Sequence, residues 1–417
     1  MTGSRRALMA LALALSLQNS VQTAYATSAC TVPPISGLQH TEPQNTNKTV
    51  FHLLPTSLYP QALCNDGSPG GYIFRPGVGA GTSRWVIMLQ EGGHCNDAHS
   101  CAARRAYDLA NDGPRLTGTG YLQAHPHDAK LPGGLTAPGA NFNPDFYDAN
   151  VAEIQYCSSD IYSGAVTGTP PFNGNTIASW TFQGRAIVLA TIADLIEKQN
   201  LASASQILMY GSSAGAVGVI SDTSDIIPLL PVTSRNVFVA DGGYTVDIPK
   251  FDPKAPSPYL SKQRPTPGEG LFLKGRALWG GRGDLLCNAH AHTKLQRALC
   301  MNTSTLLQSP AWPTPPLIVQ AQRDNVQLSL DGIPGGRAVT PAMKTYSAYF
   351  ASQMRGLLAG SNPFVSQYAP DLVLHTEMDS SGVFDKNRKF PGGPMSPVKA
   401  VHQWYLDPCA QTVNVQN

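Results

Sequence analysis

The chain has 417 residues, a formal net charge of +2 at pH 7, and charged side chains at only 13% of its positions. So few charges do not supply the concentrated basic patch that holds nucleic acid or an anionic membrane surface, and neither is expected as a partner. The length allows a large hydrophobic core, and the 34 prolines and 39 glycines predict many long loops.

The chain begins with two arginines, an apolar run over residues 7–17 and the small-residue sequence Ala24-Tyr25-Ala26. This is the pattern of a secretory signal peptide, and the apolar run is too short to span a bilayer. We predict a signal peptide over 1–26, an extended N-terminal arm over 27–48 and one α/β domain over 49–417, secreted or periplasmic, with no integral membrane segment. The alternative is a lipoprotein-type site at 27–30, which lacks the usual leucine.

The cysteines indicate disulfide bonds. An even number of cysteines in an exported chain is typical of disulfides, and their wide scatter is unlike the close pairs of a zinc site. Four bridges are the simplest prediction, with no metal and no cofactor. The eight are Cys30, Cys64, Cys95, Cys101, Cys157, Cys287, Cys300 and Cys409.

Strands and helices alternate along the chain. Runs of β-branched and large apolar residues predict strands at 49–54, 72–75, 84–89, 151–156, 207–210, 236–240, 316–320 and 372–374. Helical spacing predicts helices at 98–111, 180–198, 342–358 and 398–405, with a loop at 116–140 and a proline-rich surface insertion at 251–270. Such alternation predicts a mostly parallel central sheet with helices on both faces.

The joint after the strand at 207–210 carries a candidate nucleophile. Residues 211–215 read Gly-Ser-Ser-Ala-Gly, a match to G-x-S-x-G, and a small-residue helix follows. In a strand–turn–helix context this is a nucleophile elbow, which holds Ser213 at the carboxyl end of the sheet. Side chains at Gly211 and Gly215 would collide with the neighbouring strand and helix. The alternative is an ordinary strand-to-helix turn.

A second glycine-rich turn follows the strand at 84–89. Gly92-Gly93 lies at the carboxyl end of that strand, where hydrolases of this kind build half of the oxyanion hole. Backbone N–H groups can face a substrate there because no side chain obstructs them. Taken alone, the pair is more typical of a plain glycine turn than of an oxyanion hole.

A serine nucleophile needs a histidine base and a carboxylate that orients the imidazole. The histidines after Ser213 are His290, His292, His375 and His402. Of these, His375 alone follows a predicted strand and precedes a loop. Asp324 lies just beyond the strand at 316–320, and Asp241 also ends a strand but sits in a glycine-rich turn. The chain order Ser213, Asp324, His375 is the order of α/β-hydrolases, and we predict an α/β-hydrolase-like fold with long insertions and disulfide staples.

Several further motifs resemble the pectin acetylesterase family, whose animal branch contains the Notum carboxylesterases. They occur in family order from about residue 50 to 409 and cover nearly the whole chain outside the signal peptide. The motifs are Cys64-Asn-Asp-Gly-Ser-Pro, Leu89-Gln-Glu-Gly-Gly-His-Cys95, Asn143-Pro-Asp-Phe-Tyr147, Tyr156-Cys-Ser-Ser-Asp-Ile-Tyr-Ser-Gly164, Gly211-Ser-Ser-Ala-Gly215, Ala240-Asp-Gly-Gly243 and Trp404-Tyr405.

The resemblance implies the nucleophile at Ser213, the acid at Asp324 and the base at His375, and an oxyanion hole formed by the backbone of Gly93, His94 and Ala214. It also implies two disulfides, Cys64–Cys157 and Cys95–Cys101, which leaves Cys287–Cys300 and Cys30–Cys409. The sequence departs from the family where His94 replaces the usual aromatic residue and where the elbow continues Ala-Gly-Ala instead of Ala-Gly-Gly. A polar ring at His94 suits a short acyl group or a sugar better than a long lipid.

Three functions remain open at this point. The resemblance implies a monomeric carboxylesterase that takes acylated carbohydrate or another ester and removes O-acetyl groups from a polysaccharide through an acyl-enzyme. The alternative keeps the chemistry and changes the substrate to a fatty-acyl ester on protein or lipid. A third hypothesis is an inactive secreted binding protein on a hydrolase scaffold, which the intact Ser213, Asp324 and His375 disfavour.

Overall fold

The structure, a computed structural model, describes residues 32–111, 116–169, 180–254, 267–308, 316–362, 364–380, 382–385, 395–410 and 413–415. The predicted signal peptide and Cys30 lie outside these residues. The strands are β1 Val50–Leu53, β2 Gly71–Arg75, β3 Arg84–Leu89, β4 Asn150–Ile154, β5 Val166–Thr169, β6 Trp180–Phe182, β7 Gln206–Ser212, β8 Arg235–Asp241, β9 Leu317–Val319, β10 Ser366–Ala369 and β11 Val413–Val415.

Nine strands form one sheet in the order β1-β2-β4-β3-β7-β8-β9-β10-β11. Strand β2 pairs antiparallel with both β1 and β4, whereas all pairs from β4 to β11 are parallel, so β2 alone runs against the other eight. The predicted, mostly parallel sheet is therefore confirmed. Parallel strands end at one edge of a sheet, and the loops that follow β3, β7, β8 and β9 consequently meet there.

The helices pack on both sides of this sheet. They are α1 Ala98–Ala110, α2 Gly120–Ala124, α3 Gly184–Lys198, α4 Ala214–Ile226, α5 Pro267–Trp279, α6 Leu285–His290, α7 Lys294–Leu299, α8 Thr303–Leu306, α9 Asn325–Leu330, α10 Pro341–Ala359 and α11 Pro397–Leu406. Among the described residues, no helix combines the length and the apolar character needed to cross a membrane.

Alternating side chains of the central strands build two separate cores. Ile87 of β3 and Met209 of β7 lie in the larger core together with α3 and α4. Val86 and Leu208 point to the opposite face and pack with α11. This alternation is the period of two expected of a strand, with both faces covered by helices. Burial on both faces explains why these strands have continuous apolar sequences.

Three disulfides link described cysteines, and they are Cys64–Cys157, Cys95–Cys101 and Cys287–Cys300. These are the same pairs that the sequence comparison implied. Cys409 is also disulfide-bonded, and its predicted partner Cys30 lies outside the described residues. The described part of the predicted arm is anchored beside α11, where the N–H of Ile35 donates to the carbonyl of Leu406.

Three secondary-structure predictions are wrong in part. The helix predicted at 180–198 begins only at Gly184, because the buried Trp180, Thr181 and Phe182 form β6 instead and pair with β5. The strand predicted at 372–374 is absent: within the described residues this segment has a single bridge, Arg323 to Val373, and the sheet strand is β10. The predicted loop at 116–140 contains the short helix α2.

Candidate active site

The turn between β7 and α4 holds Ser213 in a strained conformation. Ser213 has φ 52° and ψ −116°, a backbone geometry that L-residues rarely adopt. A Cβ added to Gly211 would stand 2.2 Å from the backbone of Gly215, and one added to Gly215 would stand 2.0 Å from the carbonyl oxygen of Leu89. The predicted mechanical role of both glycines is confirmed, because only glycine lets helix, strand and β3 approach so closely.

Asp241, at the end of β8, joins the serine turn to the loop that carries His375. The backbone N–H of Ser213 donates to the carbonyl of Asp241 at 2.8 Å. The Asp241 carboxyl oxygen Oδ2 accepts from the N–H groups of Glu377 at 2.8 Å and Met378 at 2.7 Å. The next residue, Gly242, packs directly on the same loop: a Cβ added to it would stand 2.5 Å from the carbonyl oxygen of His375. One residue therefore positions both loops.

The imidazole of His375 is hydrogen-bonded to Asp324, with 2.8 Å between Nδ1 and Oδ2. Asp324 is fully buried and caps helix α9, where its Oδ1 accepts the N–H groups of Val326 and Gln327. The amide of Gln327 donates to Oδ2 at 3.0 Å. These bonds fix the carboxylate, and the carboxylate fixes the imidazole. The other ring nitrogen, Nε2, is buried and has no hydrogen-bond partner in the described part of the chain.

The charges around His375 favour its protonated form. Burial lowers the pKa of His375, but the hydrogen bond and the negative charge of Asp324, together with Glu91 and Asp379, outweigh burial, and the net pKa is raised above 6.5. A raised pKa strengthens the imidazole as a proton acceptor and delays its deprotonation to higher pH.

The other candidates from the sequence lie elsewhere. Asp241, the second candidate acid, contacts the backbone of the His375 loop, whereas Asp324 contacts the ring itself. His402 is exposed on α11 and bonded to Asp145, with 2.8 Å between Nδ1 and Oδ1. His290 and His292 are exposed. Of the four histidines that follow Ser213 in the chain, His375 is the one whose loop packs on Gly242, beside the Asp241 carbonyl that accepts the Ser213 N–H.

The loop after β3 lies beside the N-terminus of α4 and is held by Arg104 of α1. Gly92 and Gly93 have φ of 149° and 68°, and a Cβ at Gly92 would stand 2.8 Å from the ring of Tyr156. The buried guanidinium of Arg104 donates to the carbonyl of Gly92 and, at 2.7 Å, to the hydroxyl of Ser159. With the carbonyl of Gly92 turned to Arg104, the following N–H groups are free to face the opposite way.

Three N–H groups, those of Gly93, His94 and Ala214, donate to no protein acceptor within the described residues. They are the groups that the resemblance assigns to an oxyanion hole. Cys95 holds the end of the loop, because its disulfide joins α1 at Cys101 and its N–H donates to the carbonyl of Ser159 at 3.0 Å. The loop is thus fixed at both ends while its middle N–H groups stay unused.

The ring of His94 is neutral. Burial, reinforced by the positive charge of Arg104, lowers the pKa of His94 to about 4. Its edge packs on the ring of Trp279, with 6.0 Å between centroids. A neutral, half-buried imidazole at the mouth of the site is a polar surface that can donate or accept one hydrogen bond.

A group of buried carboxyls beneath the site was missed by the sequence analysis. Burial raises the pKa of Glu377 and of Glu153 to about 8, and that of Asp379 to about 7. The pKa of Asp241 is raised well above its usual value, mainly by burial and to a smaller extent by the negative charges of Asp379 and Glu377. The acidic spacing Glu377-x-Asp379 after His375 was the available signal. Within the described residues, no group of three or more His, Cys, Asp or Glu is arranged to hold a metal ion.

A mostly parallel sheet with a strained serine between strand and helix, and with a histidine and an acid at later strand ends, defines an α/β-hydrolase-like protein. Comparison with known proteins narrows the class. A sequence model described as "Pectinacetylesterase" matches residues 42–415, and the chain therefore belongs to the pectinacetylesterase family.

Individual relatives divide between two named activities. The palmitoleoyl-protein carboxylesterase Notum of Drosophila melanogaster is 29% identical over 75% of this chain and 42% of its own, and that of Mus musculus is 26% identical over 85% and 64%. Pectin acetylesterase 7 of Arabidopsis thaliana is 28% identical over 44% and 43%. The chain thus spans from about two fifths to less than two thirds of the length of these relatives.

The fold is also found among solved structures. The Wnt deacylase Notum from Drosophila superimposes with a TM-score of 0.71 at 24% sequence identity, over 89% of this chain and 96% of the other. This likeness shows that the α/β-hydrolase-like fold predicted from the sequence is correct.

Proposed function

We propose that this chain is an exported serine carboxylesterase that removes O-acetyl groups from a polysaccharide, with Ser213 as nucleophile, His375 as base and Asp324 as the acid that orients the base. The observation that carries the proposal is the 2.8 Å bond between His375 Nδ1 and Asp324 Oδ2, which leaves Nε2 unpaired on a loop that Asp241 joins to the strained serine turn.

The chemistry follows from these positions. The Ser213 hydroxyl attacks the ester carbonyl while His375 Nε2 takes its proton, and Asp324 stabilises the imidazolium. The N–H groups of Gly93, His94 and Ala214 bind the oxyanion of the tetrahedral intermediate. The imidazolium then protonates the departing sugar hydroxyl, which leaves an acetyl-serine. Water, deprotonated by the same nitrogen, attacks the acetyl group and releases acetate and free Ser213.

A second function with the same chemistry is the removal of a fatty-acyl ester, which the similarity to the Notum proteins favours. The residues at the mouth of the site favour acetate instead, because the neutral imidazole of His94 would have to give up hydration against a long hydrocarbon chain. The strained backbone of Ser213 argues against an inactive binding protein, because such strain lowers the stability of the fold and is typical of functional sites.

Three experiments test the proposal. Acetate release from a panel of acetylated polysaccharides should be measured for the wild type and for Ser213→Ala, and the variant should lose on the order of 10⁴-fold in turnover. A series of aryl esters of increasing acyl length separates the two substrates: a steep preference for acetate supports the first, and a preference for long chains refutes it. Absence of labelling of Ser213 by a fluorophosphonate would remove the serine mechanism altogether.

The predicted domain organisation accompanies this proposal. We infer that residues 1–26 direct export and are removed, and that 49–417 form the catalytic domain. The three disulfides support an oxidising destination. N-terminal sequencing of the exported protein tests the cleavage, which we expect after Ala26.

A further inference from the structure

A cavity of about 580 Å³ lies next to the proposed catalytic site, on the side of the sheet edge away from His375. It is lined by Gln90 and Gln155, the residues that follow β3 and β4. Leu89 of β3 is in register with both Ile154 of β4 and Gly211 of β7. Since neighbouring strands lie about 4.8 Å apart, Gln90 follows the strand next to β7 and Gln155 the strand after that, so the cavity extends from roughly 5 to 10 Å from the serine turn along the sheet edge.

Polar side chains line the cavity together with apolar ones such as Ile73, Leu116 and Leu122. The side chain of Gln155 is only 4% exposed, and its amide nitrogen has no hydrogen-bond partner in the described part of the chain. The burial of an unsatisfied amide donor costs about 1–3 kcal/mol, a cost that a ligand with hydroxyl groups would remove. Tyr107 of α1 stands at the opening with 62% of its surface exposed. Asp128 and Lys130 add one charge of each sign at the rim.

The walls of the cavity are rigid and are shared with the catalytic loop. The carboxylate of Asp108 accepts the N–H groups of Leu116 and Thr117, each at 3.0 Å, and so ties the far wall to α1. The same helix carries Arg104, which holds Gly92. A ligand in this cavity would therefore contact the helix that shapes the proposed oxyanion loop.

We propose that this cavity is a subsite for the carbohydrate chain of the substrate, in which Gln155 donates to a sugar hydroxyl and the ring of Tyr107 packs on the apolar face of a sugar ring. A carbohydrate presents both hydroxyl acceptors and C–H faces, whereas a fatty-acyl chain would leave the Gln155 amide unsatisfied. The subsite rests on the proposed function, because it binds sugar residues beside the one whose acetyl group reaches Ser213.

The test compares two substrates. Tyr107→Ala and Gln155→Leu should each raise KM for acetylated polysaccharide about threefold to tenfold, since each removes one modest contact. Both should leave kcat and KM for 4-nitrophenyl acetate unchanged, because that substrate is too small to reach the cavity. Leu109→Ala is the matched control: Leu109 lies on the same helix with 46% of its surface exposed and is not among the lining residues.

The possible results distinguish failure of the subsite proposal from failure of the proposed esterase function. If the polysaccharide KM is the same for the wild type and both variants, or if Leu109→Ala raises it equally, the subsite is refuted. It is also refuted if the wild type cleaves 4-nitrophenyl acetate but no polysaccharide. Failure of the wild type to cleave any ester refutes the proposed function; binding of deacetylated oligosaccharide to Ser213→Ala, measured by calorimetry, then tests the cavity alone.

Discussion

Replacement of Asp241 tests whether one residue positions both the proposed nucleophile, Ser213, and the proposed base, His375. Asp241→Ala removes the acceptor of the N–H groups of Glu377 and Met378, which are 2.8 and 2.7 Å from Oδ2. Two buried N–H groups left unsatisfied cost about 1–3 kcal/mol each, and we expect a loss of roughly 2–6 kcal/mol in the free energy of unfolding. The loop of His375 would also shift, and a displacement of about 1 Å at a catalytic group costs on the order of 10²-fold in rate.

Asp241→Asn is the variant to compare with Asp241→Ala. Burial raises the pKa of Asp241 well above its usual value and so favours the neutral carboxyl, and the amide oxygen of an asparagine can accept the same two N–H groups. We expect the Asn variant to keep most of the stability and activity that the Ala variant loses. Urea unfolding and kcat/KM on 4-nitrophenyl acetate measure both quantities. Equal losses in the two variants, or no loss in either, would refute the positioning role of Asp241.

Three further predictions concern the groups around the site. Arg104→Met releases the carbonyl of Gly92 and should lower kcat about 10²-fold to 10³-fold, with little change in KM. The acid limb of kcat/KM against pH should have its midpoint above 6.5, and Glu91→Gln should move it to lower pH, because the charge of Glu91 raises the pKa of His375. Glu377→Gln should raise the melting temperature at pH 8 much more than at pH 5. Burial raises the pKa of Glu377 to about 8, so at pH 8 folding must either bind a proton at this carboxyl or bury its charge, a cost that an amide does not have.

Matched control substitutions distinguish these effects from a general loss of folding or stability. Arg105→Met alters the neighbouring residue of α1, whose guanidinium donates to the Thr117 hydroxyl, and should leave kcat unchanged. Glu197→Gln removes an exposed carboxylate on α3 and should move neither the pH midpoint nor the pH dependence of the melting temperature. A midpoint below 6.5, or a larger gain for Glu377→Gln at pH 5 than at pH 8, would contradict the electrostatic reasoning.

The sequence was sufficient for the parts of the fold that depend on local pattern. Strand β3 was predicted with its bounds, because all six of its side chains are buried and the five after Arg84 are apolar. The serine turn was predicted because the steric demand at Gly211 and Gly215 limits the residues that fit there. His375 and Asp324 were found through chain order and strand ends, although the strand expected before His375 is not present.

Long-range pairing explains what the sequence did not reveal. Strand β10 contains Ser366 and Gln367, and its polar sequence hides a strand that is buried by parallel neighbours on both sides. Arg104 lies in a helix with no local sign that it reaches Gly92. Asp241 resembled a second candidate acid, since the sequence cannot tell a carboxyl that contacts a histidine ring from one that contacts the backbone of its loop.

The buried carboxyls give the site opposite responses to pH in chemistry and in stability. In the proposed mechanism His375 accepts a proton only when its ring is neutral, so we expect activity to rise as pH increases past its raised pKa. Glu377, Glu153 and Asp379 have folded-state pKa values of about 8, 8 and 7, above their unfolded values, so the folded state binds more protons. Its stability therefore falls as pH rises from about 4 to 8. We therefore expect the protein to gain activity and lose stability over the same pH interval, with Glu377, Glu153 and Asp379 setting the upper limit of stability.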